Sequence, residues 1–230
     1  MSNHSTDLRG LLSYVPQFRG KLFVVDIEWS LFSEAIKAEI VMDLAALQSI
    51  GVRLLIVASA SELGNFIDWA TDHELKHSAL LEEMDASFVQ LVLDRGQAAL
   101  LSRRGDLLAH KLQQVAVTLS AKKMIALTDI KPIEQSGEQR KFLRVAEIEP
   151  LLMGLSSKES QLLSAAASAC HEGVDRVHLL NGLVPGVLLD ELFSNEGVGT
   201  MVYSGTYRQI RLLSEEDIPE LLAMIGRSVK

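Results

Sequence analysis

Two histidines and one cysteine are the residues whose types and spacing suggest chemistry directly. His73 and His77 lie four residues apart, so on a helix their imidazoles share one face and could chelate a metal ion. No third ligand stands nearby, and a solvated helix face is the favoured interpretation. Cys170 is the single cysteine, which excludes an intramolecular disulfide and a multi-thiolate zinc site. It lies in an alanine-rich segment and is predicted to be a small core residue rather than a nucleophile. No metal site is predicted.

The composition predicts a soluble, cytoplasmic α/β domain. The 230 residues are 48% hydrophobic and 23% charged, which supplies a large core. The net charge of −8, without a basic block to offset it, argues against nucleic-acid binding. The polar first residues lack the apolar run of a signal peptide, and no apolar stretch reaches the roughly 18 residues that span a bilayer. We therefore expect neither nucleic-acid nor membrane partners.

Short apolar runs alternate with amphipathic ones, the pattern of an α/β fold. A strand at Leu22–Ile27, a helix that ends before Gly51 and a strand at Arg53–Ala58 predict a right-handed crossover between parallel strands. Residues 61–119 are expected to be mostly helical. The later predicted elements are a strand at Lys123–Thr128, a hairpin within residues 130–144, a helix at Lys158–His171, a strand at Val177–Leu180, a short helix at Pro185–Phe193 and a strand at Gly199–Tyr203.

The last residues change character. A strand-like run, Tyr207–Leu212, precedes a helix start with an N-cap at Ser214 and early acidic residues. One strand and one helix cannot bury both of their faces, so residues 206–230 look like the beginning of a second domain.

Two segments resemble the amino-acid-kinase domain of N-acetylglutamate synthases and N-acetylglutamate kinases. The later one holds Ser168–Cys170, Gly173–Val174, Arg176–His178, Leu188–Phe193 and Gly197–Met201, and the earlier one holds Tyr14, Arg19–Lys21 and Leu47–Leu54. Ala169, Cys170 and Leu162, the last standing where kinases usually place a phosphate-contacting lysine, favour the synthase branch. The resemblance implies a three-layer αβα sandwich with a mainly parallel central sheet over residues 1–205. It also implies that residues 206–230 begin a truncated or absent GNAT acetyltransferase domain.

The resemblance further implies that the phosphate site is degenerate. The family's first glycine-rich loop corresponds to Asp26, Glu28 and Trp29, and its second to Ala58, Ser59 and Ala60. Side chains at such positions block the close approach of backbone N–H groups to phosphate. An aspartate in place of a lysine also repels phosphate, by about 4 kcal/mol at 4 Å and an effective dielectric of 20.

Two remnants of kinase chemistry remain possible. Asp106 matches the catalytic-site aspartate, and Lys158 is a candidate phosphate lysine about one turn too early, for which a solvated helix-start residue is the favoured interpretation. Trp29 and Trp69 are expected to be packing residues, although Trp29 could plug the vacated nucleotide pocket.

An arginine site is implied by the same resemblance. In arginine-sensitive members the ligand lies beside the N-terminal helix, and the matching positions here are Tyr14, His178, Glu191 and Gly197. Glu191 can accept hydrogen bonds from a guanidinium or an ammonium group.

These features predict a regulatory, arginine-sensing, pseudokinase-like domain of an N-acetylglutamate-synthase-like protein. The chain itself needs no cofactor in this interpretation. Acetyl-CoA is expected only in a full-length protein, where an acetyltransferase domain in cis would acetylate L-glutamate. The family also assembles through this domain, so a homo-oligomer is expected. The alternatives are an acetylglutamate kinase with residual activity and a non-catalytic oligomerisation module.

Overall fold

An eight-stranded sheet forms the centre of the fold in the computed structural model, which describes residues 15–83, 85–135, 137–194 and 197–205. The strands are β1 (Leu22–Ile27), β2 (Arg53–Ser59), β3 (His77–Leu81), β4 (Ala98–Arg103), β5 (Lys123–Thr128), β6 (Glu134–Gln135), β7 (Glu138–Gln139), β8 (Phe142–Arg144), β9 (Arg176–Asn181) and β10 (Thr200–Tyr203). Their order in the sheet is β3-β4-β2-β1-β5-β9-β10-β8, while β6 and β7 form a separate hairpin. Every neighbouring pair in the large sheet is parallel except β9 and β10.

Helices cover both faces of this sheet. They are α1 (Glu34–Ser49), α2 (Ala60–Asp72), α3 (Ala86–Asp94), α4 (His110–Thr118), α5 (Ser157–Glu172) and α6 (Val187–Leu192), with 3₁₀ turns at Trp29–Leu31, Val145–Glu147 and Glu149–Gly154. One core lies between the sheet and α3, α4 and α5, and the other between the sheet and α1, α2 and α6. The predicted three-layer αβα sandwich with a mainly parallel sheet is therefore confirmed.

The alternation of side chains along β1 assigns each residue to one of these cores. Val24 packs in the α3–α5 core, whereas Phe23 and Val25 pack in the α1–α2–α6 core. Since successive side chains point to opposite faces of a strand, Asp26 shares the face of Val24. By the same parity, His178 on β9 faces the α1–α2–α6 side.

The prediction for residues 61–119 is partly wrong, because β3 and β4 lie within that segment. The run Ala98–Leu101 consists of residues with high helix propensity. It is nevertheless a strand because it is buried on both faces between β2 and β3. The hairpin prediction is confirmed by β6 and β7, but its second β-like run continues as β8, which pairs with β10 at the edge of the large sheet.

The two histidines are not on one helical face. His73 caps the C-terminus of α2, and His77 is the first residue of β3. Their rings have separate partners, the carbonyl oxygen of Trp69 and the hydroxyl of Thr71. Cys170 is buried as predicted, and burial raises the pKa of its thiol to about 12. Among the described residues, no helix is both long and apolar enough to cross a bilayer.

Candidate functional site

The carboxyl ends of β1 and β5 mark the point where the order of the parallel strands reverses. The chain passes from β1 to β2 on one side, while β5 lies on the other side of β1. Open α/β sheets place ligands in the crevice at such a switch point. Glu28 follows β1 and Asp129 follows β5, so both carboxylates lie at this edge.

Lys158 joins these two carboxylates. Its Nζ lies 2.7 Å from Glu28 Oε2 and 2.6 Å from Asp129 Oδ1, and Thr128 also donates to Glu28. Lys158 is at the start of α5, as predicted, and its side chain is 41% exposed, but it also pairs with both carboxylates. Burial opposes its charge, yet the hydrogen bonds to Asp129 and Glu28 raise the pKa of Lys158. The ammonium is thus neutralised within the protein.

Asp26 is fully buried behind this edge. Its Oδ2 accepts a hydrogen bond from the Leu108 N–H at 2.8 Å, and its Oδ1 lies 3.3 Å from Arg103 Nη1. Burial raises the pKa of Asp26 to about 7, although Arg103 and the Leu108 N–H oppose the shift. Leu108 has a positive φ of 56°, so Asp26 holds the end of the loop after β4 in a strained conformation.

Glu62, in the first turn of α2, accepts hydrogen bonds from residues that follow β1 and end β2. Its Oε1 accepts from the Ser30 N–H at 2.7 Å, and its Oε2 accepts from the N–H and hydroxyl of Ser59 at 3.1 and 2.6 Å. Arg103 Nη2 lies 3.7 Å from the same Oε2. Partial burial opposes ionisation, but the hydrogen bonds from Ser30 and Ser59 outweigh it and lower the pKa of Glu62.

A cleft of about 920 Å³ opens between the loop after β4 and α5. Asp106, Lys158 and Glu28 line it, so the structure brings both predicted kinase remnants to one place. Leu162 lines it as well, on α5.

Trp29 is not among the residues that line this cleft. It is buried on the other face of the sheet, where its Nε1–H donates to Asn65 at 2.8 Å and its ring meets Phe66 edge-on. Trp29 is therefore a packing residue. Ala58 is buried inside β2, and Ser59 and Ala60 start α2.

A buried chain of three ionisable groups lies on the same face of the sheet as Trp29, opposite to the face that holds Asp26. His178 Nδ1 is 2.6 Å from Glu191 Oε1, and Lys123 Nζ is 3.1 Å from His178 Nε2. Because a carboxylate only accepts, Nδ1 carries the histidine proton and Nε2 accepts from the ammonium. The group is therefore a neutral histidine between a lysine cation and a glutamate anion.

Burial and mutual charge shift all three pKa values. Burial, followed by the Lys123 charge, lowers the pKa of His178 to about 4. Burial lowers the pKa of Lys123 to about 8. Burial disfavours the Glu191 anion, but the hydrogen bonds from His178, Gly199 and Val198 outweigh it and lower its pKa to about 2.

The loop before β10 closes around Glu191. The N–H groups of Val198 and Gly199 donate to Glu191 Oε2 at 2.7 and 2.8 Å. Gly197 has a φ of +64°, and a Cβ on it would lie 2.8 Å from the same oxygen. The absence of a side chain at Gly197 therefore permits the backbone to approach the Glu191 carboxylate this closely.

The residues at the start of the described chain pack beside this cluster. Residues 15–18 are helical, and the Phe18 ring lies 5.3 Å from Phe23 and 5.4 Å from Phe193. Lys123 Nζ lies 5.7 Å from the centre of the Phe18 ring. His178, Glu191 and Gly197 thus come together beside this helical segment, while Tyr14 lies outside the described residues.

The sequence interpretation missed Lys123, Glu62 and Arg103. Lys123 carries a signal, a charged residue that opens an otherwise apolar strand. Glu62 also carries one, the capping-box spacing from Ser59. Arg103 carries none, because its partners lie far away in the sequence. Among the described residues, no group of three or more His, Cys, Asp or Glu side chains is placed to hold a metal ion.

Comparison with known proteins connects this fold to acetyltransferases and kinases. No family model matches the chain. The amino-acid acetyltransferase of Pseudomonas fluorescens SBW25 is 29% identical over 204 residues, which are 84% of this chain and 47% of that protein. The chain thus spans about half the length of the curated relatives it matches.

Solved structures show the same fold. N-acetylglutamate synthase from Neisseria gonorrhoeae superimposes with a TM-score of 0.77 at 21% identity when complexed with coenzyme A and N-acetyl-glutamate, covering 98% of this chain and 69% of that one. Its complex with coenzyme A and L-arginine gives 0.76 at 22% identity, covering 98% and 71%. UMP kinase from Ureaplasma parvum gives 0.59 at 11% identity, covering 81% and 100%.

Proposed function

We propose that this chain is the regulatory, arginine-binding, kinase-like part of an N-acetylglutamate-synthase-like protein of arginine biosynthesis, and that it transfers no phosphoryl group itself. The observation that carries the proposal is the convergence of His178, Glu191 and Gly197 in one cluster beside residues 15–18. These are positions that the sequence resemblance assigns to arginine. The amino-acid acetyltransferase relatives and the arginine-complexed gonococcal synthase support this assignment.

The intact protein, in this proposal, makes N-acetylglutamate from acetyl-CoA and L-glutamate. Residues 206–230, which lie outside the described residues, begin its acetyltransferase domain, and residues 1–205 form the kinase-like domain. The protein is cytoplasmic and assembles as a homo-oligomer through this domain.

Arginine binding would act on the loop before β10. Both oxygens of Glu191 already accept hydrogen bonds, from His178 on one side and from Val198 and Gly199 on the other. A guanidinium that pairs with this carboxylate has to share or replace those donors. The position of Val198 and Gly199 then depends on whether arginine is bound, which is how a binding event here would be transmitted.

A thermal scan with L-arginine tests the proposal. A ligand that binds only the folded chain at 100 times its Kd adds about 2.7 kcal/mol, or roughly 5–10 °C in Tm for a domain of this size. Glu191→Ala should abolish the shift, whereas Glu172→Ala, a partly exposed carboxylate on α5, should keep it. L-lysine should shift Tm less, because its ammonium cannot form a two-pronged contact with a carboxylate. Absence of an arginine shift would favour the oligomerisation module instead.

The absence of phosphoryl transfer is tested separately. The two loops that the resemblance assigns to phosphate lack their glycines, and the carboxylates of Glu28, Glu62 and Asp129 lie in or beside these loops. Calorimetry with ATP and magnesium should show no binding. A micromolar Kd, or turnover with N-acetylglutamate, would instead support a kinase with residual activity.

A further inference from the structure

We infer that Glu62 is an internal anion, which occupies the backbone N–H donors at the ends of β1 and β2 and keeps external phosphate away from them. This inference deepens the proposed lack of phosphoryl transfer and rests on it. It concerns the edge of the sheet at β1 and β2, not the cluster around Glu191.

The donors around Glu62 come from separate parts of the chain. The Ser30 N–H belongs to the turn after β1, the Ser59 N–H to the end of β2, and the guanidinium of Arg103 to the end of β4. Backbone N–H groups that converge with an arginine form the kind of site that holds a phosphate oxygen. Here a carboxylate of the chain itself is seated on these donors.

The burial of the group distinguishes it from an ordinary surface cap. The side chains of Glu62 and Arg103 are only 11% and 10% exposed. Arg103 also lies between Glu62 and Asp26, so its guanidinium already contacts two acidic side chains of the protein. An incoming phosphate would have to displace Glu62 and would then meet Asp26 behind it.

A second capping box in the same chain provides a matched control. At the start of α5, Ser156 and Glu159 make the same reciprocal contacts, with the Ser156 N–H 2.8 Å from Glu159 Oε2. The hydrogen bond described for the Glu159 carboxylate comes from Ser156. Among the described residues, no arginine pairs with Glu159 as Arg103 pairs with Glu62. Removal of Glu159 therefore removes a helix cap without vacating an arginine-backed anion position.

The test is chemical rescue. Glu62→Ala and Glu159→Ala are each unfolded thermally in sodium phosphate and in sodium chloride at matched ionic strength. Both variants should lose stability, but phosphate should restore Glu62→Ala selectively. At ten times its Kd, phosphate should raise the Tm of Glu62→Ala by about 3–6 °C beyond the general salt effect that wild type and Glu159→Ala define. Glu62→Ser, which removes the charge and shortens the side chain so that the donors are vacated, is the second variant if Glu62→Ala does not fold, and its Tm should rise selectively in the same way.

The outcomes separate this inference from the proposed function. Equal phosphate responses in wild type, Glu159→Ala and the folded Glu62 variant would overturn the internal-anion role while leaving the arginine shift intact. Phosphate or ATP binding by wild type would instead contradict both the internal-anion role and the proposed absence of kinase chemistry.

Discussion

Gly197→Ala provides a direct test of how closely the loop before β10 approaches Glu191. At φ +64° an alanine pays about 1–2 kcal/mol for the left-handed conformation alone. Its Cβ would also lie 2.8 Å from Glu191 Oε2, so the carboxylate has to move away from the N–H groups of Val198 and Gly199. Loss of about one charge-assisted hydrogen bond adds roughly 1.5–3 kcal/mol.

The control is Gly96→Ala. Gly96 has a φ of +73°, and a Cβ there meets no heavy atom within 4 Å. This variant should therefore lose only the backbone part, about 1–2 kcal/mol, while Gly197→Ala should lose about 2.5–5 kcal/mol.

Urea unfolding followed by circular dichroism measures both losses, provided that the m-values match wild type. In thermal scans the same losses correspond to about 5–20 °C for Gly197→Ala and about 2–8 °C for Gly96→Ala. Equal destabilisation of the two variants would refute the close approach as the reason for a glycine at position 197.

Two further variants test the electrostatics of the two faces. Asp26 keeps its proton in the folded state up to about pH 7, far above its unfolded pKa near 4, so its contribution to stability falls as pH rises through this window. Asp26→Asn should therefore gain stability relative to wild type from pH 4 to pH 7, by at most about 1.4 kcal/mol per pH unit. Urea titrations at several pH values measure this gain, and parallel plots of unfolding free energy against pH for the two proteins would contradict it. Lys123→Met should raise the pKa of His178 in an NMR titration, because the Lys123 charge depresses it, whereas Lys122→Met, which removes the exposed partner of Asp175, should leave that pKa in place.

Local patterns predicted most of the framework. The strands β1 and β5 begin and end at the predicted residues, and α5 ends before Gly173, which has the left-handed φ of 119° that favours glycine. These elements are readable because their apolar periodicity and their caps are encoded by neighbouring residues. By contrast, β4 was missed because its alanines and leucines favour a helix, and only burial between two other strands makes it extended.

The resemblance of the sequence to the amino-acid-kinase domain suggested His178, Glu191 and Gly197 as candidates, and it suggested the loops that lack glycine. The tertiary structure decided what these residues contact. It seated Glu62 on donors from three separate strand ends, gave Lys158 two carboxylate partners and placed Lys123 against His178. The parity of a strand sends adjacent residues to opposite cores, so Asp26 and the His178 cluster lie on different faces of one sheet. Such contacts join residues far apart in the chain, and their geometry depends on strand order, which no local pattern encodes.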